Sequence, residues 1–298
     1  MPAVNTSKLA RLKPDPLPTI HPLPEFLAEG DVKEGYEDTK VVLQVPWMGV
    51  VTMAFAHHWP FWRALWQGVR PLCLSEAYAE NFLAMRRQTE EAVKELRPPP
   101  IAARLQKLGY APREIAQIRD MVEVFSHGNF PYVFIATIAR LLMEGHELSD
   151  VREAPAYSER HAPEISVPFL LMEPHHVDAP TGAVYERIKS SLGLPFVNTD
   201  YRAFARWPSY FALAWGDVEP YVTTDHYEEV VAGLHHEFVA RALAMPNPGG
   251  LTVSELRAAA SSEGKSAEIL EMVRLFQWLL PGLVTNVAFF RSQLAGEI

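Results

Sequence analysis

Apolar residues recur at three- and four-residue intervals along most of this chain, the spacing that lines one face of an α-helix. Between Ala77 and Leu96, the residues Ala77, Phe82, Leu83, Val93 and Leu96 form one side, acids and bases form another, and Pro98-Pro99-Pro100 ends the run. Glu114 to Phe125, Pro131 to Leu142, Tyr227 to Ala244, Val253 to Glu263 and Ala267 to Leu280 carry the same period. Strand signals are scarce: Val41 to Val45 and Ile165 to Met172 have an extended pattern, and each is short and edged by proline. The pattern predicts an all-α protein.

It also occurs twice. Tyr36-Glu37, Lys40, Pro46-Trp47 and Ala54-Phe55-Ala56 return as Tyr185-Glu186, Lys189, Pro195-Phe196 and Ala203-Phe204-Ala205, each 149 positions on. Met121-Val122, Phe125, Arg140 and Gly145 return as Met272-Val273, Phe276, Arg291 and Gly296 at a spacing of 151. Each copy is expected to hold a helix near Tyr36 or Tyr185, a Pro-aromatic turn, a helix ending at Trp59-Pro60 or Trp207-Pro208, and then longer helices. We therefore expect two pseudosymmetric helical repeats packed as an intrachain pseudo-dimer. Residues 1–30 form an extended N-terminal arm, 31–149 the first repeat, 150–176 a linker rich in Pro, Glu and Ser, and 177–298 the second repeat.

An internal repeat reports on packing twice, so a polar residue in one copy of an apolar slot marks a candidate site. In the 149 register Asp200 stands where the first copy has Val51, and in the 151 register Asn129 stands where the second has Leu280. Asn198-Thr199 resembles a helix N-cap, which puts Asp200 in the first turn and, at helical spacing, on one face with Phe204, Trp207 and Phe211. Burial raises a carboxylic acid's pKa and a helix N-terminus lowers it, so such a group stays ionised yet poorly solvated, which suits a general base. The bland alternative is an acid placed there for the helix dipole alone. Asn129 lies in Ser126-His127-Gly128-Asn129-Phe130-Pro131-Tyr132, which reads as a helix-breaking turn. Its amide suits it either to orient a water or anion or to cap a helix C-terminus. Trp47 offers an indole N–H on a turn, or is a core aromatic like its counterpart Phe196.

Composition narrows the classes. With 298 residues, 48% of them hydrophobic, the chain has material for a sizeable core. The formal net charge of −9 and the lack of a Lys/Arg cluster argue against nucleic acid. A single cysteine, Cys73, excludes an intramolecular disulfide and fits a cytoplasmic location. The proline-rich Met1 to Phe26 segment has no continuous apolar run, so neither a signal peptide nor a membrane anchor is expected there. The His-His pairs at 57-58, 175-176 and 235-236 diverge by about 100° on a helix and do not chelate, so no metal is expected. No glycine-rich phosphate loop, nucleophile elbow or Cys nucleophile stands out, and no cofactor is expected.

Four segments together resemble the group I 2-haloacid dehalogenases: Tyr36-Glu37-Asp38 to Val45-Pro46-Trp47, Gly128 to Tyr132, Val177-Asp178-Ala179, and Asn198-Thr199-Asp200-Tyr201 to Trp207-Pro208. The resemblance implies a cofactor-independent, all-α, homodimeric enzyme that hydrolyses short 2-haloalkanoic acids to 2-hydroxy acids with inversion. A water activated by an aspartate attacks the α-carbon directly, without an ester intermediate. Asp200 matches that aspartate, Asn129 the asparagine that helps to hold the water, and Trp47, Tyr132 and Thr199 residues lining the pocket. Phe196, in the corresponding turn of the second copy, counts with the pocket wall. Glu80 matches a supporting glutamate. Val50 replaces a family phenylalanine, and Glu76, with Ser75 beside it, stands where the family has threonine. Asn198 is a small residue in members that take both enantiomers and asparagine in a D-selective member, so the reading leans to D-selectivity. Two other readings compete: a relative acting on another small 2-substituted acid, and a non-catalytic helical-repeat protein that binds a small carboxylate. All three take a small anion as partner, with no nucleic acid and no membrane.

Overall fold

A computed structural model describes residues 9–164 and 166–295. Among these, twelve α-helices and no strand are found: α1 Gly30–Leu43, α2 Val50–Ala56, α3 Trp59–Cys73, α4 Glu76–Val93, α5 Ala102–Lys107, α6 Pro112–Glu144, α7 Ala179–Leu192, α8 Thr199–Phe204, α9 Pro208–Val218, α10 Asp225–Ala244, α11 Val253–Ser261 and α12 Ser266–Gln293. One isolated bridge, between Ser75 and Ala156, is all the extended pairing described. The all-α expectation holds. Gly296 of the second copy, residues 1–8 of the arm and Ile165 lie outside the described residues.

Several local expectations change. Val41, Val42 and Leu43 are the last turn of α1, not an extended segment. The β-branched character of Val41 and Val42 yields to the helix's buried stripe of Tyr36, Thr39, Val42 and Leu43, while Val41 points away, 74% exposed. Residues 166–172 form no strand. The two helices expected at 114–125 and 131–142 are one helix, α6, so Ser126 to Tyr132 is no turn. Pro131 inside a helix costs about 3 kcal/mol. That cost is tolerated because residues 124–143 of α6 are all buried, where tertiary packing outweighs a local breaker. The Tyr78 hydroxyl also donates to the Pro131 carbonyl at 2.7 Å. α12 is long and apolar enough by composition to cross a membrane, but 83% of its most apolar stretch is buried in the protein, as in a core helix.

The chain divides into two compact units, each drawn from three segments: Met1–Met85, Gly128–His161 and Ala232–Gly282 in unit 1; Arg86–His127, Ala162–Val231 and Leu283–Ile298 in unit 2. In unit 1, α3 packs on α1, α2 and α11. Phe55 meets Phe61 and Phe276 edge-on at 5.5 and 5.9 Å, and Gly68 and Gly249 let two backbones touch, since a Cβ on Gly249 would lie 2.0 Å from the Gly68 oxygen. The arm is tied down here: the Leu23 N–H donates to the Met53 carbonyl at 3.1 Å, and Arg11 to the Trp278 carbonyl. Fully buried His235 meets the Leu9 carbonyl through Nε2 at 2.6 Å and Gln277 through Nδ1 at 2.8 Å. A carbonyl only accepts, so Nε2 carries the proton, and the Gln277 amide nitrogen donates to Nδ1, so the ring is neutral. In unit 2, α9 packs on α7 and α8, with Tyr185 against Phe211 and Tyr201 against Trp215.

The first helical series of each unit shares local geometry at the 149 spacing. The Tyr36 hydroxyl donates to the Leu23 carbonyl at 2.9 Å, and the Tyr185 hydroxyl to the Met172 carbonyl at 2.6 Å. Glu37 pairs with Lys40, and Glu186 with Lys189. α1 ends on left-handed Gln44 and α7 on left-handed Gly193. Trp59-Pro60 and Trp207-Pro208 do not end α2 and α8; they open α3 and α9, with proline in the first helical turn, where its missing N–H costs nothing.

Candidate active site

Unit 1 carries Trp47, Val50, Glu80, Asn129 and Tyr132. Trp47 lies in the turn between α1 and α2, 3% exposed. The Tyr132 hydroxyl donates to its carbonyl at 2.6 Å, with the two rings 6.0 Å apart. Burial is the main cause, with the charge of Glu25 adding to it, that pushes the Tyr132 hydroxyl above its ordinary range, so it keeps its proton and stays a donor. Two glycines make this packing possible: a Cβ on Gly128 would lie 2.4 Å from the Trp47 ring, and one on Gly49 3.1 Å from the Tyr132 ring. Gly128 is thus a close-approach residue rather than a turn residue. It sets Trp47 against α6 one position before Asn129, which is 5% exposed. Val50 opens α2 and is half-buried. Glu80 is exposed on α4, as is Glu76; the buried polar group at that helix start is Ser75, whose Oγ donates to the Leu72 carbonyl at 2.6 Å and accepts the Tyr78 N–H at 3.2 Å.

Unit 2 carries Phe196, Asn198, Thr199 and Asp200. Asn198 is the N-cap of α8 and Asp200 lies in its first turn, 2% exposed. The expected face of Asp200, Phe204, Trp207 and Phe211 is not formed by one helix, because α8 ends at Phe204 and the other two residues belong to the start of α9. What surrounds α8 is aromatic all the same: Phe204 packs edge-on against Phe125 at 5.4 Å and Phe290 at 5.8 Å. The Asn198 side chain makes no capping bond, and its Oδ1 is buried with no hydrogen-bond partner. Thr199 is buried, with its hydroxyl 3.4 Å from the Arg202 guanidinium, which pairs with Glu173 at 2.5 Å. Phe196 is half-buried.

Sequence reasoning missed the polar chain beside Asp200. The Tyr227 hydroxyl donates to Asn286 Oδ1 at 2.7 Å, and Asn286 Nδ2 donates to the Tyr201 hydroxyl at 2.9 Å. Burial drives the Tyr201 hydroxyl far above its ordinary range, with the neighbouring Asp200 charge among the lesser causes. An asparagine in the apolar run Leu283 to Phe290 was the signal available for it. A carboxylic acid buried to this extent has little access to water that would solvate its charged form.

No family model matches the chain. It is 44% identical over 244 residues to an (R)-2-haloacid dehalogenase of Rhizobium sp. (strain NHG3), an alignment spanning 82% of this chain and 95% of the relative. The chain belongs to the group I 2-haloacid dehalogenase family. A second (R)-2-haloacid dehalogenase, from Pseudomonas putida, is 33% identical over 92% of each chain. Among solved structures of the dehalogenases, a complex of D-2-haloacid dehalogenase with L-LA superposes with a TM-score of 0.87 at 31% identity, covering 95% of this chain and 99% of that one.

Proposed function

We propose that this dehalogenase hydrolyses short D-2-haloalkanoic acids, that is the (R) series, to 2-hydroxy acids with inversion, and that Asp200 is the base. The oxygen of a water attacks the α-carbon opposite the halogen, the carbon–halogen bond breaks with its electron pair leaving on the halide, and the water's proton passes to Asp200. One in-line displacement inverts the centre. The observation that carries this reading is a carboxylate 2% exposed in the slot where the other helical series buries Val51 to the same extent. Burying a charge costs several kcal/mol, which folding alone does not repay. The shared geometry at the 149 spacing supports taking the two series as copies of one repeat, which makes Asp200 an addition to an apolar frame.

The remaining roles follow from chemistry and from the family. By the family resemblance, Asn129 matches the residue that helps to hold the water, and Trp47, Tyr132 and Thr199 match residues that line the pocket, with Phe196 and Val50 counted in its wall. We assign enantiomer choice to Asn198. A buried acceptor without a partner costs about 1–3 kcal/mol, and discrimination between substrates is a use for it.

Halide release from D- and L-2-chloropropionate, given separately and with chiral analysis of the product, tests the reading. Release from the D form alone, giving L-lactate, is expected, as is its loss in Asp200→Asn and admission of the L form by Asn198→Ala. Release from neither enantiomer, nor from chloroacetate or bromoacetate, would sink it. Single turnover in heavy-oxygen water is expected to label the product; label in Asp200 would make it a nucleophile instead.

A further inference from the structure

We infer that Glu25, on the N-terminal arm, is a positioning residue for the Trp47 wall of the substrate pocket. This rests on the proposed role of Trp47 and Tyr132 in lining the pocket. Glu25 lies on a short 3-10 turn, Glu25–Leu27, just before α1. Its Oε1 accepts the Met48 backbone N–H at 2.8 Å, and its Oε2 accepts from Lys40 Nζ at 2.8 Å. The Met48 N–H and the Trp47 carbonyl are the two ends of one peptide group, and the carbonyl end is held by the Tyr132 hydroxyl at 2.6 Å. That peptide is therefore gripped from both sides, by a carboxylate on the arm and a phenol on α6. With its plane fixed, and with Gly128 giving the indole its bed, Trp47 has little freedom to turn. Both Trp47 and Met48 are buried, so an unpaired Met48 N–H would have no water to turn to.

The second helical series carries no such grip in its sequence. At the 149 spacing Glu25 corresponds to Pro174, and at the 151 spacing Tyr132 corresponds to Leu283. Neither can make the bond its counterpart makes. The shared frame thus does not require this grip, and it is built only around Trp47.

Three variants separate reach from charge. Glu25→Gln keeps an acceptor oxygen for Met48 and loses the Lys40 ion pair; KM and kcat for D-2-chloropropionate are expected within threefold of the parent. Glu25→Asp keeps the charge but withdraws the carboxylate by about 1.5 Å; KM is expected to rise about tenfold with kcat within threefold, since Asp200 is untouched. Lys40→Met is expected to behave as Glu25→Gln does. The emission spectrum of Trp47, taken as the difference between each protein and its Trp47→Phe derivative, is expected to shift in Glu25→Asp and to be kept in Glu25→Gln. A Gln variant as impaired as the Asp variant, or an Asp variant with unchanged KM and an unchanged Trp47 spectrum, overturns the assignment. If the parent releases halide from no 2-haloacid, the proposed function fails, and the Trp47 spectra still decide whether Glu25 positions the indole.

Discussion

Val51 and Asp200 stand 149 positions apart, each in the first turn of a short helix, and are equally buried, each 2% exposed. The frames around them share a tyrosine that reaches back to a carbonyl thirteen residues earlier, a Glu–Lys pair one turn apart and a left-handed helix end. Inside that frame one slot packs an aliphatic side chain and the other a charge. The difference teaches where the polar investment goes. Beside Asp200 lies a buried chain of Tyr201, Asn286 and Tyr227, while the first series spends its polar atoms on the Trp47–Met48 peptide.

The largest effects come from exchanging the slot. Asp200→Val is expected to lower turnover by about 10²–10⁴-fold while leaving folding stability equal or up to about 2 kcal/mol higher. Val51→Asp buries a charge without a built environment and is expected to cost about 3–5 kcal/mol in urea denaturation. A cost below about 1 kcal/mol would break the comparison, because the first slot would then be no more apolar than the second.

Acid should separate the units next. Both histidines held furthest below their ordinary range, His235 and His161, at about 4, belong to unit 1. Burial is the main cause at each, and at His235 the nearby Arg140, His236 and Arg11 add to it. Between pH 6.5 and 4 the unfolded state therefore binds protons that the folded state refuses. The stability due to neutral His235 is whole above pH 6.5 and is lost as the pH falls toward 4, a loss on the order of 3 kcal/mol. Stability measured from pH 7 to 4 should fall less steeply in His235→Gln. An unchanged slope would remove His235 from the account, and hydrogen exchange at pH 5 should show the Leu9–His235–Gln277 region opening first.

The smallest test is of the frame itself. Tyr36→Phe and Tyr185→Phe each remove one hydroxyl–carbonyl bond and are expected to cost about 1 kcal/mol apiece. Equal costs sharpen the comparison. A loss confined to one of them would mean that the two hydroxyls do different work.

Helical period, the 149-residue register and the first-turn position of Asp200 were all legible in the sequence, because each depends on residues within a few positions of one another or on direct repetition. Gly128 and Pro131 were misleading for the same reason: local signals read them as a turn, and only the burial of α6 and the approach of Trp47 show why a glycine and a proline are tolerated inside a helix. Trp207 and Phe211 left the expected face because a short helix ended first, and Glu80, expected behind the site, proved exposed. Tertiary structure alone decided which polar groups meet. The Glu25 bond to Met48 spans 23 residues and the Asn286 bond to Tyr201 spans 85. Periodicity tells which side of a helix is buried, but a buried hydrogen bond is set by whatever distant atom the packing brings within 3 Å, and no local pattern encodes that atom.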